Sequence, residues 1–424
     1  MAESKLKIAD LARPKFKANP YPFYARLRAT RPVCPTKLLG QPTWLITRYD
    51  DAFMVFKDER FVKDWLPRTR WLHTVSGGLT RHMLNEDGPD HTRLRTLVHK
   101  AFTPSLVERL RERIQNACDE LLEDLAANGR MDLMNGYALP LPLTIIAELL
   151  GIPAEDRSRL HSLTRSSLSA SNLLGVLRAL PDQRLTIRRL RKLIAERRRE
   201  PRDDLISALV QAEEAGDKLN EHELIATIFL LLIAGYETTV NLIGNGALTL
   251  LQHPEQLERL QRNPELAASA IEEVLRYTSP LDLASQRFAR EDVAIRDTTI
   301  SQGDVVVVLI GSANHDETQF SNPEKFDITR EPNKHLAFGQ GLHFCIGAPL
   351  ARMEGQIALM TLFRRFPDLR LAKEPETLRW RKSLIVRGLE ALPVVINTTV
   401  KATPAWSDLI STVASAMIVD DGLT

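Results

Sequence analysis

The chemistry open to this chain starts at Cys345, in the segment His335-Leu-Ala-Phe338-Gly339-Gln-Gly341-Leu-His343-Phe-Cys345-Ile-Gly347, just ahead of a helix signal. A thiolate is a nucleophile and a soft metal ligand; the protonated thiol is neither. Glycines allow left-handed torsions and close approach of the backbone to a flat group. N–H groups at a helix start favour an anionic sulfur. Read alone, the same segment also suits a buried, inert cysteine beside a turn. A zinc site from His335, His343 and Cys345 is set aside, because it lacks paired C-x2-C or H-x3-H spacing.

A second group lies in Ala234-Gly235-Tyr236-Glu237-Thr238-Thr239, inside an apolar run. An acid and two alcohols there are costly unless they find partners or serve a reaction. Gly235 is expected to leave room for a ligand against the helix. Glu273-Val-Leu-Arg276 puts an acid and a base at i, i+3, a spacing that often marks a surface ion pair of small worth. His91 and Arg95, four residues apart, share a helix face. Arg287 follows in Ser-Gln-Arg-Phe.

The elements needed to hold these groups are mostly helical. Pro89 opens a helix that Thr103-Pro104 stops. Leu106–Leu125 and Leu141–Leu150 follow at helical spacing. Asn220-Glu221-His222-Glu223 has the capping-box pattern, and its helix is expected to run to Gln252 and, being apolar nearly all round, to be buried. Asn263-Pro264-Glu265 caps the helix that carries Glu273 and Arg276. Pro349–Phe366 is a last long helix. Strand-like runs are few: Val293–Ile300, Val305–Ile310 and Val394–Ile396. The basic clusters within 159–200 suit solvated helix faces.

Taken together, Phe338-x-x-Gly341-x-His343-x-Cys345-x-Gly347 resembles the haem-binding loop of cytochromes P450. The resemblance spans residues 10–396 and implies a mainly α fold with small β-sheets, the cytochrome P450 fold. It makes Cys345 the axial ligand of haem b iron, with Phe338, Gly339, His343 and Gly347 around the cofactor. It makes His91, Arg95, Arg287 and His343 partners of the haem propionates. Ala234-Gly235-x-Glu237-Thr238 is similar to the oxygen-activation motif, in which Thr238 and Glu237 deliver protons. Glu273 and Arg276 match a structural E-x-x-R pair whose partner is Arg330 or Lys325. The substrate cavity is expected at Trp65–Met83, 165–190, Phe229–Gly235, Leu281–Ala284 and Leu384–Val386, with Leu230, Ala234, Leu283 and Val386 among its lining. Because these residues must meet at one cofactor, residues 1–397 are expected to form one domain. Residues 398–424 form a tail with no counterpart in the family.

Composition bounds the function. With 56 Lys and Arg against 54 Asp and Glu, the formal charge is +2, which gives no support for nucleic-acid binding. The three cysteines, Cys34, Cys118 and Cys345, make no disulfide framework and suit a reducing compartment. The N-terminus shows no signal peptide or membrane anchor, so a cytoplasmic location is expected; a monomer is the expected state. Nothing resembles a fused reductase. NAD(P)H electrons would come through a ferredoxin and its reductase, docking near Cys345 on Arg95, Lys100, Arg109, Arg111 and Arg113. The resemblance favours O2-dependent hydroxylation or epoxidation of an apolar macrolide- or polyketide-like product. Fatty-acid or terpenoid/steroid hydroxylation is the alternative. A peroxide-driven enzyme and a non-catalytic haem sensor or carrier are rivals against which Glu237-Thr238 speaks.

Overall fold

The computed structural model describes residues 8–38, 40–64, 79, 81–154, 173–214 and 219–396. The tail beyond 397 and most of the 65–83 lining lie outside them. Glu221–Gln252 forms the central helix, and its start is the expected capping box. The Asn220 side chain accepts from the Glu223 N–H at 2.9 Å, and the Glu223 carboxylate accepts from the Asn220 N–H at 3.1 Å. By length and composition alone this helix could cross a membrane, but 61% of its most apolar 18-residue window is buried inside the protein, as for a core helix.

The helices Gly88–Ala101, Pro104–Ala126, Pro140–Leu149 and Ala348–Arg365 follow the sequence expectation within two residues. Ala267–Tyr277 carries Glu273 and Arg276, but Asn263 does not cap it. A one-turn helix, Pro264–Leu266, intervenes, and the Asn263 amide donates back to Arg259 O at 2.9 Å. Leu173–Arg199 is one helix. Within it Arg197 departs from a solvated face: it is buried and donates to Asp204 and to Gly151 O. An isolated guanidinium cannot be buried without such acceptors.

The strands are β1 (Val33–Leu38), β2 (Gln41–Ile46), β3 (Phe61–Val62), β4 (Arg130–Asp132), β5 (Arg287–Ala289), β6 (Val293–Ile295), β7 (Thr298–Ile300), β8 (Val305–Val308), β9 (Arg370–Leu371) and β10 (Pro393–Val395). They form sheets ordered β1-β2-β8-β5-β3, β4-β10-β9 and β6-β7. Val293–Ile300, expected as one strand, is a hairpin that turns at Arg296, φ +52°. β8 stops at Val308, and Ile310–Ala313 coils into a single helical turn. The β1–β2 hairpin was not expected, because its prolines mask the pattern. β8 pairs parallel with β2, Val306 opposite Trp44, and antiparallel with β5, Arg287 opposite Val306. That register brings Arg287 from a loop-like sequence into the interior. The N-terminal segment is tied to the same region by the buried Lys17–Asp282 pair at 2.6 Å.

One buried acid has no role in the sequence reading. Glu354, on the helix after the cysteine loop, is fully enclosed, its Oε2 has no partner, and burial pushes its pKa up to about 8. The unfolded carboxyl titrates near about 4.3. The folded state therefore holds the proton more tightly, and stability falls as pH rises from about 4.3 to about 8. Glu354→Gln is expected to leave stability at pH 4 nearly unchanged and to raise it at pH 8 by a few kcal/mol, on the order of 1.4 per pH unit crossed. Urea unfolding at the two pH values checks this; an equal gain at both would refute it.

Candidate active site

The cysteine loop is shaped by two left-handed glycines, Gly339 (φ +68°) and Gly341 (φ +72°). A Cβ on Gly341 would come within 2.8 Å of Phe56 O, so no other residue fits there. Gly347 has an ordinary φ of −84°; its torsion does not require glycine. The Cys345 N–H donates to Phe338 O at 3.0 Å, closing the loop. The Cys345 residue is accessible by area yet surrounded by protein. Burial raises its pKa, against the Gly347 and Ala348 N–H groups and the Arg95 and Arg352 charges, which lower it. Such a thiol ionises when a cation takes the sulfur.

Around the loop lies a concentration of buried basic side chains. His91 is buried with neither ring nitrogen hydrogen-bonded, and its ring centroid is 4.4 Å from that of His343. Burial, then His343 and Arg95, push the His91 pKa down to about 4. Arg287 donates through Nη1 to Phe61 O at 3.2 Å and leaves its buried Nε unpartnered; burial pushes it down to about 10. Arg95 donates to Phe344 O at 2.8 Å. Two residues enter that sequence reasoning missed. Lys63, buried, is spent on Ser285 and Gln286 oxygens. Asp87 accepts from His343 Nε2 at 3.2 Å and from the Asp64 N–H at 2.9 Å. In the sequence Asp87-Gly88 is turn-like, just before the helix that Pro89 opens; nothing there marks Lys63. The orphaned donors on His91 and Arg287 fit a ligand that carries anionic arms.

On the central helix, Leu230, Ala234 and Thr238 fall at i, i+4, i+8 and stay accessible, while Leu232, Tyr236, Glu237 and Thr239 beside them are buried. An open stripe on a core helix faces a space inside the fold. Thr238 Oγ1 donates to Ala234 O at 2.9 Å. Glu237 Oε1 accepts from Arg381 Nη1 at 3.3 Å, a partner the sequence gave no sign of. Gly235 corrects the expectation placed on it. A Cβ there would come within 3.0 Å of Ile146 Cδ1, so the glycine admits a neighbouring helix and not a ligand. Ala234 holds the open position.

Leu283 and Val386, expected to line the cavity, are 2% and 4% exposed and point into the core. Their neighbours Ala284, Ser285 and Ile385 are the accessible ones. In extended segments successive side chains alternate in direction, so an error of one residue exchanges lining for core.

Glu273 and Arg276 are wholly buried and bidentate, both contacts at 2.8 Å. Arg330 is the third member, its Nε 3.1 Å from Glu273 Oε2. Lys325 enters through its carbonyl, which accepts from both arginines, while its ammonium lies by Asp327.

The architecture and site define a mainly helical protein that presents one thiol on a glycine-shaped loop beside buried cations and an open stripe of a core helix. The cytochrome P450 family model matches residues 10–172 and 184–385. The polyketide biosynthesis cytochrome P450 PksS of Bacillus subtilis is 45% identical over 401 residues, covering 90% of this chain and 97% of that protein. Cytochrome P450 monooxygenase PikC of Streptomyces venezuelae is 43% identical, covering 89% and 91%. The crystal structure of a myxobacterial cytochrome P450 in complex with myristic acid superposes with a TM-score of 0.87 at 42% identity, covering 92% and 99%. The chain belongs to the cytochrome P450 family and is a monooxygenase that uses haem and O2.

Proposed function

We propose that this cytochrome P450 inserts one atom of O2 into an apolar macrolide- or polyketide-like molecule. The balance is R–H + O2 + 2e⁻ + 2H⁺ → R–OH + H2O. Cys345 would hold haem b, which would supply the activation of O2. Phe338, Gly339 and Gly347 shape its pocket. His91 and Arg287 offer free donors to its propionates, with Arg95 and His343 beside them. Thr238 and Glu237 would hold and pass protons at the edge of the open stripe, and Leu230 and Ala234 would contact the substrate. The observation that carries this reading is the Glu237–Thr238 pair at the edge of the open stripe. A structural helix has no need of a mostly buried acid and an accessible hydroxyl at that place.

Thr238→Ala is expected to retain haem while product formation falls by about 100-fold, with electrons diverted to hydrogen peroxide. Product and peroxide assays with a surrogate ferredoxin and reductase check this. Unchanged product yield would remove the mechanism.

The substrate class is supported by the relative named for polyketide biosynthesis. The relative bound to myristic acid keeps fatty acids as the second reading. Electrons from NAD(P)H arrive through a ferredoxin and its reductase. Of the docking cations expected from sequence, Arg111 and Arg113 are bound to Glu108 and Glu148, and Arg109 lies 3.8 Å from Asp203. The reading rests better on Leu342, 59% exposed at the tip of the cysteine loop, with exposed Lys57 against Gly341 and exposed Lys100. The protein acts as a cytoplasmic monomer. Residues 1–397 make one domain, a reading supported by bonds that join distant parts of the chain, such as Asp87–His343 and Lys17–Asp282.

A further inference from the structure

We propose that Arg381 is the positioning residue of the proton-delivery pair, fixing the Glu237 carboxylate and joining it to the protein surface. The proposal rests on the roles assigned above to Glu237 and Thr238. Arg381 lies in a segment, 378–390, to which neither the sequence nor the haem pocket gives a catalytic part. Its Nη1 is 3.3 Å from Glu237 Oε1.

The guanidinium is held from behind. Its Nε donates to Leu389 O at 3.0 Å, and its backbone N–H donates to Gly388 O at 2.9 Å. A planar fork fixed at one nitrogen presents the others in a set direction. The charge reaching Glu237 is therefore oriented by the backbone of 388–389.

Exposure gives the pair its direction. The Arg381 side chain is 27% exposed and that of Glu237 is 11%. The contact thus runs from solvent to the interior of the central helix. A carboxylate on a mostly buried helix is stable as an ion only beside an opposite charge or donors. One turn further along, Asn241 is fully buried with both amide atoms unpartnered, and it fills the space above Gly388 that a Cβ would need. Arg381 and Asn241 thus both meet the 388–389 backbone, while Glu237, one helical turn before Asn241, is bound to Arg381. Arg381 brings its charge to the acid from the solvent side of the central helix.

The test uses the full-length holoprotein as wild type, R381Q, R381K, E237Q and E237Q/R381Q. Thermal midpoints of the four-member cycle read the contact without turnover. The double variant is expected to melt no lower than the worse single variant, and strictly additive losses would overturn the contact. With a surrogate ferredoxin, its reductase and no added substrate, NADPH electrons leave as water (O2 + 4e⁻ + 4H⁺ → 2H2O) or as hydrogen peroxide (O2 + 2e⁻ + 2H⁺ → H2O2). R381Q is expected to shift that ratio about tenfold toward peroxide, which corresponds to about 1.4 kcal/mol of lost support for the acid. R381K, which keeps the charge, is expected to restore most of it. The carbon monoxide spectrum should stay unchanged throughout. If E237Q leaves the ratio unmoved, the proton-delivery reading itself fails. If E237Q moves it and R381Q does not, Arg381 alone loses its role.

Discussion

Cys345→Ser is expected to give a folded protein whose reduced, carbon monoxide-treated form lacks thiolate-type absorption and which turns over no substrate. The fold survives because serine is nearly isosteric and the loop is closed by backbone, the Cys345 N–H on Phe338 O and the torsions of Gly339 and Gly341. The chemistry does not survive. The Gly347 and Ala348 N–H groups and the Arg95 and Arg352 charges are arranged for an anion at the sulfur, yet burial leaves the free thiol with a raised pKa. A metal overcomes that burial for sulfur, since ligation and deprotonation are coupled. A serine hydroxyl is a far weaker acid and a harder donor, so the same surroundings do not make it a ligand. The loss of turnover should exceed the roughly 100-fold typical of removing a mere outer-shell partner. Optical spectra of the reduced carbon monoxide complex decide the matter. A serine variant that keeps the thiolate band would end the assignment of Cys345.

Arg276→Ala carries the largest expected effect on stability. Each of the five N–H donors of this guanidinium has an acceptor: Glu273 twice, and the carbonyls of Asn314, Pro323 and Lys325. Glu273 in turn accepts from the Asp327 N–H, Arg330 and Asn333. Both side chains are 0% exposed. Truncation leaves a buried carboxylate short of charge and the Asn314 and Pro323 carbonyls unpaired, while Lys325 O keeps Arg330, a change worth about 3–5 kcal/mol. Set against the roughly 5–15 kcal/mol of a folded domain, that is enough to impair assembly of the 314–330 segment from which the cysteine loop continues. Arg276→Lys is expected to rescue little, because one ammonium with three donors cannot span four acceptor groups. Urea unfolding and haem content per chain measure the outcome; an unfolding free energy within about 0.5 kcal/mol of wild type, the range of a surface substitution, would show the network to be dispensable.

Much of the site was legible because its signals are local. The cysteine loop is a run of neighbours whose glycine torsions are set within the loop. The capping box needs only Asn220 and Glu223, and the E-x-x-R spacing needs only one helical turn. What lay between the elements was not legible. Lys63, Asp87 and Arg381 come from unrelated stretches and reach the site through the pairing of β3 with β5, the turn before Gly88 and the anchoring of the 381 segment on residues 388–389. Gly235 looked like room for a ligand and proved to be room for Ile146.

The sequence by itself determined which residues can do the chemistry and which helices carry them, since helix period, caps and turn glycines are properties of adjacent residues. Only the tertiary structure decided which way those residues face and whom they meet. Ile385 faces open space while Val386 faces the core, Arg330 completes the buried pair while Lys325 gives only its carbonyl, and Glu237 finds its cation 144 positions away. The physical reason is that a side chain's direction is fixed by what packs beside it, and a buried charge takes whichever partner the fold delivers within about 4 Å.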